Sequence, residues 1–270
     1  MILDYSSFIK YEATKGIVND KPIKKSIELF YAQDGICPFC NTKAETRVNN
    51  SKHDTPEWLF GTFDEYETVY QCPSCGWWEY IYQNQSDAII DGIRASDKEK
   101  VASVLKKYDI TDKRIPTEVL SNYIDKNPSK IHAINPTAME LLVKSVFKDF
   151  YSCEVHHIGK SHDGGIDLLL IQNDNPTIIQ VKRREFPNSV EPVKTIRELL
   201  GVSYFNDSKS CIFVSTADHF SKQAEKFANQ SISKGKVDSF ELINRENFLS
   251  MLNLTKKDVS ETWKQFIKLH

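Results

Sequence analysis

Apolar residues in the C-terminal half of the chain recur at the spacing of a helix that buries one face. After Asn135-Pro136 they follow an i, i+3, i+4, i+7 pattern, at Met139, Leu142, Val143, Val146, Phe147 and Phe150. Asparagine is a favoured N-cap residue and proline is favoured at the first helical position. The pattern predicts a helix that begins at Pro136 and packs against a core.

After this helix, short apolar runs alternate with helical segments along the rest of the chain. Strands are predicted at YSCEVHHIG, in a hairpin of residues 166–171 and 177–182, at CIFVS and around SFELI. Helices are predicted over about 190–206, at DHFSKQAEKFANQ and at ENFLSML. This alternation predicts an α/β (α+β) domain, residues 131–270, in which helices flank a central mixed sheet.

The N-terminal half has a different pattern, which divides into two parts. ETVYQC and WWEYIYQ predict strands that enter and leave a cysteine pair, and residues 1–85 form a small module around it. Residues 86–130 predict a helical linker, because SDKEKVASVLKKY has Ser96 at an N-cap position and PTEVLSNYIDK follows with helical spacing. Asn127-Pro128 marks the expected boundary with the C-terminal domain.

Composition limits the class of protein. The 270 residues are 40% hydrophobic and 27% charged, which is typical of a soluble globular chain of one large or two modest domains. The sequence has no run of about 18 apolar residues, so no membrane span is predicted. The start of the chain lacks the pattern of a secretory signal. We therefore expect a cytoplasmic protein. The net charge of -2 means that nucleic-acid affinity would require a local basic patch.

Four of the six cysteines form two CxxC pairs, CPFC at 37–40 and CPSC at 72–75. Two such pairs can complete a tetrahedral four-cysteine site, and in a cytosolic protein this spacing indicates metal binding rather than disulfides. The prediction is a structural zinc ion bound by Cys37, Cys40, Cys72 and Cys75 in an elaborated zinc-ribbon-like module. An iron–sulfur cluster is the alternative. Of Trp77 and Trp78, which follow the second pair, one is expected in the core, and the other either packs as well or is exposed.

The segment DGGIDLLLIQNDNPTIIQVKRRE, residues 163–185, places polar groups in an apolar hairpin. Side chains alternate between faces along a strand, so Gln180 and Lys182 share one face. If the two strands pair, Asp167 lies near the Gln180–Lys182 end, and Glu140 borders the apolar stripe of its helix and can lie over the hairpin. Carboxylate and amide oxygens suit magnesium or manganese, and a neighbouring lysine can position water for phosphodiester hydrolysis.

The order Glu140, GGID ending at Asp167 and QVK ending at Lys182 resembles the PD-(D/E)xK nuclease superfamily. More narrowly, it resembles the Mrr-type restriction endonuclease domain, in which glutamine replaces the usual second acidic residue. The likeness continues through VKTIRELLGV, CIFVSTADHFSKQAEKFA and FELINRENFLSML and covers roughly residues 133–253.

The resemblance implies a magnesium-dependent DNA endonuclease (Mg²⁺ or Mn²⁺), often used in restriction or antiviral defence. It also implies the roles of individual residues. Asp167 would be the principal metal ligand, Gln180 the second metal position, Lys182 the catalytic lysine and Glu140 the helix carboxylate.

Basic residues cluster in sequence around this hairpin and are predicted to hold DNA phosphates: Lys160, Arg183, Arg184, Lys194 and Arg197. His157 or His162 could touch substrate, although ordinary polar roles are the simpler interpretation. Ser215 and Thr216 end a strand, where contact with phosphate and a role in a turn are equally consistent with the sequence.

Two alternatives remain open at this level. The neutral Gln180 is consistent with a catalytically impaired nuclease fold that serves as a DNA-binding module. The zinc module could instead recruit a defence partner such as a helicase or ATPase, because the chain has no Walker motif of its own. A homodimer is also compatible with cleavage of both DNA strands.

Overall fold

A computed structural model describes residues 1–15, 35–57, 61–88, 94–158, 165–172, 175–257 and 261–269. The chain forms two compact units. The sheet unit comprises Leu3–Lys107 and Val259–His270, and the α/β unit comprises Met1–Ile2 and Tyr108–Asp258. The structure thus places the division near residue 107, earlier than the expected boundary at Asn127-Pro128. No helix in these described ranges is long and apolar enough to cross a membrane.

Seven strands precede the first described helix. They are β1 (Ile2–Asp4), β2 (Phe8–Lys15), β3 (Glu45–Asp54), β4 (Gly61–Gln71), β5 (Trp78–Ala88), β6 (Arg94–Ser103) and β7 (Lys106–Tyr108). An antiparallel five-stranded sheet has the order β2-β6-β5-β4-β3, and β1 pairs with β7. The predicted strands on either side of the second cysteine pair are confirmed as β4 and β5.

The predicted helix at SDKEKVASVLKKY is wrong, because this segment forms strands β6 and β7. Its charged residues gain partners across neighbouring strands rather than along one helix face. The carboxylate of Glu99 forms ion pairs with Nζ of Lys10 at 3.2 Å and Nζ of Lys268 at 2.7 Å. Nζ of Lys100 lies 3.4 Å from the Glu79 carboxylate. Packing in the sheet therefore overrides the local helical pattern.

Trp77 and Trp78 are both fully buried, so the option of an exposed tryptophan is wrong. Consecutive strand positions point to opposite faces, and each tryptophan fills a separate small core. Trp77 packs with Cys37 and Cys72 and donates from Nε1 to the Ser103 carbonyl at 3.0 Å. Trp78 packs with Val69 and the C-terminal segment.

The C-terminal segment belongs to the sheet unit rather than to the predicted domain of residues 131–270. Its 3-10 helix, Thr262–Phe266, packs Phe266 against Trp78 and Tyr80 at ring separations of 5.7 and 5.9 Å. The buried carboxylate of Glu67 accepts hydrogen bonds from the backbone N–H groups of residues 268 and 269 at 2.6 and 3.3 Å. Aromatic packing and backbone bonds therefore hold the chain terminus on the sheet.

The α/β unit follows the predicted order of elements. Its helices are α1 (Thr117–Lys126), α2 (Pro136–Phe150), α3 (Val193–Phe205), α4 (Lys222–Ser233) and α5 (Arg245–Thr255), with a 3-10 helix at Pro128–Ala133. Its strands are β8 (Glu154–His157), β9 (Leu168–Gln172), β10 (Asn175–Lys182), β11 (Val190–Glu191), β12 (Ser210–Ser215), β13 (His219–Phe220) and β14 (Ser239–Ile243). The Asn135 side chain caps α2 by accepting from the Thr137 N–H at 3.0 Å, as predicted.

The central sheet is mixed, with the order β14-β12-β10-β9-β8. β12 is parallel to both β10 and β14, whereas β9 is antiparallel to β10 and β8. One face carries Ile179 and Val181 and packs against α1, α2 and α5. The other carries Ile178 and Phe213 and packs against α3 and α4. The sheet is therefore covered by helices on both faces, in agreement with the predicted class.

Candidate functional site

Asp167 lies where strands β9 and β10 separate. The last regular pair of the hairpin joins Leu168 to Ile179, and the Asp167 N–H then donates to the Ile179 carbonyl at 3.1 Å. One residue further on, the Val181 N–H donates to Oδ2 of Asp167 at 2.7 Å. The Asp167 side chain thus replaces the missing ladder bond and lies beside the Gln180–Lys182 end of β10, as the sequence predicts.

Gln180 and Lys182 project from the face of β10 that carries Ile178, opposite the face of Ile179 and Val181. The Oε1 atom of Gln180 is buried and has no hydrogen-bond partner among the described residues. Lys182 is exposed to solvent. An apolar face therefore ends in an unsatisfied amide oxygen and an accessible ammonium group.

The backbone of Gly165 lies next to the Gln180 side chain. It adopts a φ of 91°, which side chains rarely tolerate, and a Cβ atom at this position would lie 3.6 Å from Nε2 of Gln180. The second glycine of the GGID motif therefore allows the turn that brings Asp167 to β10. Residues 159–164 precede this turn, so the predicted phosphate contact Lys160 and the histidine His162 lie outside the described residues.

Glu140 is held by a histidine that the sequence interpretation left with an ordinary role. Its Oε2 lies 2.7 Å from Nε2 of His157, and both side chains are about four-fifths buried, with 18% and 22% exposed. His157 pairs with Leu168 in the sheet, next to Asp167. Glu140 therefore lies over β8, on α2, which covers the sheet face opposite Gln180 and Lys182. His156 is exposed and lies 3.4 Å from Glu154.

The remaining predicted phosphate contacts differ in their surroundings. Lys194 is exposed and only 4.0 Å from Glu198, and the guanidinium of Arg197 lies 5.4 Å from the centre of the Phe227 ring. Arg183 donates to the His132 carbonyl at 2.7 Å and to Glu185 at 3.2 Å.

Arg184 is engaged in a buried contact with Glu191, which the sequence analysis did not identify. Its Nε donates to Oε2 of Glu191 at 2.9 Å, its Nη2 donates to Oε1, and these bonds raise the pKa of the guanidinium. Ser215 and Thr216 are also buried and bond to the same region, which favours the turn role over phosphate contact. Glu191 precedes Pro192 on the two-residue strand β11, and nothing in its local sequence indicates that it is buried.

The sheet unit brings its four cysteines together. The sulfur atoms of Cys37 and Cys75 lie 3.6 Å apart, those of Cys40 and Cys72 lie 3.4 Å apart, and all four lie within 4.8 Å of one another. A disulfide would require about 2.0 Å, whereas tetrahedral zinc with bonds of about 2.3 Å places sulfurs about 3.8 Å apart. The cluster therefore has the dimensions of a four-thiolate metal site.

The two cysteine knuckles repeat one backbone arrangement. In each, the residue after the second cysteine has a positive φ, 56° at Asn41 and 84° at Gly76, and donates its N–H to the carbonyl of the first cysteine at 3.0 Å. Asparagine and glycine are the residues that adopt this conformation most readily. CPFCN and CPSCG thus encode matching turns that aim two sulfur atoms in one direction.

The thiol groups require a cation to be ionised together. Burial raises the pKa of Cys37 and Cys75, whereas hydrogen bonding with Thr42 lowers the pKa of the exposed Cys40 to about 6. A bound metal ion supplies the positive charge that stabilises four neighbouring thiolates. Within the described ranges, this is the one place where three or more His, Cys, Asp or Glu ligand atoms converge.

The donor set of the α/β unit fits a different kind of ion. Asp167 offers a carboxylate and Gln180 an orphaned amide oxygen, and hard oxygen donors suit Mg²⁺ or Mn²⁺ rather than zinc. Magnesium is commonly held by only one or two protein carboxylates, with water and substrate phosphate completing its coordination. The small number of protein ligands is therefore compatible with a divalent-metal site.

Comparison with known proteins gives a match to the same part of the chain. A search of curated proteins found no match to this chain. A protein-family model described as Mrr_cat, restriction endonuclease, matches residues 131–252, somewhat less than half of the 270 residues. The match spans α2, the β9–β10 hairpin, α3, α4 and most of α5. Residues 131–252, which contain Asp167 at the fork of the hairpin and Gln180 and Lys182 on one strand face, are therefore similar to a restriction endonuclease domain of the Mrr_cat type.

Proposed function

We propose that this protein is a magnesium-dependent DNA endonuclease that hydrolyses phosphodiester bonds. The observation that carries the proposal is the fork of the hairpin, where Asp167 lies beside the unsatisfied oxygen of Gln180 and the exposed Lys182 within a restriction endonuclease domain. This arrangement combines oxygen ligands for a divalent cation with a cationic group for the reacting phosphate.

Asp167 and Gln180 would hold the ion, with Mn²⁺ able to replace Mg²⁺. When bound, the ion supplies a Lewis acid that polarises the phosphate and lowers the pKa of water. Lys182 orients the attacking water and stabilises negative charge on the phosphate oxygens. Glu140, held by His157, would be the helix carboxylate of the site, and it acts from the sheet face opposite Gln180 and Lys182. Lys194 and Arg197 hold the DNA backbone on the side of α3.

The biological role that this chemistry supports is restriction or antiviral defence in the cytoplasm. The sheet unit carries a structural Zn²⁺ at its four cysteines and offers a separate surface for a helicase or ATPase partner. Two copies of the chain, each with one hairpin site, would supply the two reactions needed to cut both DNA strands.

Cleavage of supercoiled plasmid tests the proposal directly. The parent protein is incubated with Mg²⁺, with Mn²⁺ or with EDTA, on modified and unmodified DNA, and nicked and linear products are quantified. We expect products with either metal and none with EDTA. A parent protein that binds DNA but cuts no substrate with either metal would support the alternative, a DNA-binding module with an impaired site, to which the neutral Gln180 is suited.

Substitutions at the fork then test the individual roles. Lys182→Ala should lower the cleavage rate at least about 100-fold while DNA binding persists, because it removes transition-state stabilisation. Lys236→Ala is the matched control, since Lys236 is an exposed lysine in a loop after α4. Asp167→Ala should abolish cleavage. Gln180→Glu should keep activity and Gln180→Ala should lose most of it, because carboxylate is the better magnesium ligand.

A Lys182→Ala variant that cuts as fast as the Lys236→Ala control would show that the active site lies elsewhere. Co-purification of the full chain from its natural source tests the partner proposal separately. A specifically bound ATPase would favour an adaptor role for the sheet unit, whereas recovery of the chain alone would contradict it.

A further inference from the structure

Among the residues that the structure describes, the end of β10 that carries Gln180 and Lys182 pairs with a strand on one side only. β9 pairs with β10 as far as Ile179, and beyond that residue the Asp167 side chain accepts a hydrogen bond from the Val181 N–H on this side. On the other side, β12 pairs with β10 up to the pair Lys182–Ser215. The position of Lys182 therefore depends on contacts made from the β12 side.

A buried polar network lies on that side. Glu191 is fully buried, and its carboxylate accepts hydrogen bonds from Arg184, from the Ser215 hydroxyl at 2.7 Å and from the Thr195 hydroxyl at 2.8 Å. The Arg184 guanidinium binds it through two nitrogen atoms, Nε at 2.9 Å and Nη2. Two nitrogen donors in a planar fork define one orientation of the pair.

The same network holds the backbone on both sides of Arg183. The Lys182 carbonyl accepts from the Thr216 N–H at 3.1 Å and from the Ser215 hydroxyl at 3.4 Å. The Arg184 N–H donates to the Thr216 hydroxyl at 2.7 Å, and the Arg184 carbonyl faces Nδ1 of His132 at 3.0 Å. The chain is therefore fixed immediately after Lys182.

A buried ion pair is a costly way to stabilise a fold, because apolar residues of similar volume are often at least as stable in its place. What the pair adds is a single geometry. We propose that Glu191 and Arg184, with Ser215, are positioning residues that fix Lys182 for the reaction, and that Arg184 is not a phosphate contact. This inference rests on the proposed nuclease function and deepens it.

The double variant Arg184→Met/Glu191→Leu separates positioning from stability. It replaces the pair with apolar side chains of similar length, so thermal unfolding measured by circular dichroism should stay close to that of the parent. The full-length chain is assayed on plasmid with Mg²⁺. We expect kcat to fall at least about ten-fold, with KM and the salt dependence of DNA binding unchanged.

Ser215→Ala keeps the ion pair and removes one hydroxyl that bonds both Glu191 and the Lys182 carbonyl. It should also lower kcat without changing KM, and it keeps the test valid if the double variant fails to fold. Glu225→Gln is the control, because Glu225 is an exposed glutamate on α4. It should behave like the parent.

Variants that cleave within roughly two-fold of the parent would show that the network is merely structural. A double variant whose salt dependence is flatter by about one unit would show that Arg184 contacts a phosphate, and would overturn the inference in that way. A parent that never cleaves would instead overturn the proposed function, and the inference with it. The parent's own rate therefore distinguishes the two failures.

Discussion

Removal of zinc should unfold the sheet unit and leave the α/β unit folded. The perturbation is incubation of the full chain with a strong zinc chelator under reducing conditions. Cys37 and Cys72 are fully buried and pack against Trp77, and the Cys72 N–H donates to the Trp77 carbonyl at 2.7 Å. A zinc ion at these cysteines would thus be part of a small core that has few other apolar residues among the described ones.

The size of the effect follows from the number of ligands. Structural zinc contributes on the order of 10 kcal/mol or more to the folding of four-ligand sites, whereas the whole stability of a domain is about 5–15 kcal/mol. Loss of the ion should therefore remove most or all of the free energy of unfolding of the sheet unit. The α/β unit contains no cysteine of the cluster and should keep its own unfolding transition.

Tryptophan fluorescence reports this selectively. Trp77, Trp78 and Trp263 are buried in the sheet unit, and residues 108–258 contain no tryptophan. Elemental analysis should find about one zinc per chain before treatment. After chelation the emission should shift to the red, while helical circular dichroism and its thermal transition persist.

Two results would refute this reasoning. A zinc-free protein that keeps its original emission maximum and thermal transition would show that the cysteine cluster does not support the fold. Visible absorbance with stoichiometric iron would show that the cluster holds iron and sulfide instead. Cys153→Ser, which removes a cysteine outside the cluster, is the control and should bind the same amount of zinc.

Three further predictions concern single contacts. Asp167→Asn should abolish cleavage but unfold at nearly the parent temperature, whereas Asp167→Ala should lose about 1–3 kcal/mol because the Val181 N–H loses its acceptor; equal stability of the two variants would contradict this. Lys194→Ala and Arg197→Ala should each flatten the salt dependence of DNA binding by about one unit, and unchanged slopes would show a merely solvated surface. Glu67→Ala should cost about 3 kcal/mol in urea unfolding followed by tryptophan fluorescence, because it leaves two backbone N–H groups of the C-terminal segment unpaired; the exposed Glu45→Ala is its control.

Much of the α/β unit could be predicted from the sequence because its elements are locally consistent. The Asn135 cap, the apolar stripe of α2 and the period-two pattern of β10 each specify one conformation. Asp167 could be placed beside Gln180 and Lys182 because pairing in a hairpin relates residues close in sequence. The CxxC pairs likewise carry their own turn residues, Asn41 and Gly76.

Other features depend on partners that are distant in sequence. The segment SDKEKVASVLKKY, residues 96–108, was predicted to be a helix, yet residues 94–103 form a strand. Glu99 and Lys100 form ion pairs there with residues on β2, on β5 and in the C-terminal segment. The assignment of the C-terminal segment to the sheet unit depends on Glu67, about 200 residues earlier. Local periodicity contains no information about such contacts.

The site shows the same division. Residue types and spacing predicted the cluster of four cysteines, which the structure brings together, and they predicted Asp167, Gln180 and Lys182 as a candidate site, because short motifs carry this chemistry. The partnership of Glu140 with His157 and the burial of Glu191 under Arg184 were decided by tertiary packing alone. An acidic residue looks the same in sequence whether it meets solvent, a metal or a buried arginine, and only the fold determines which of these surrounds it.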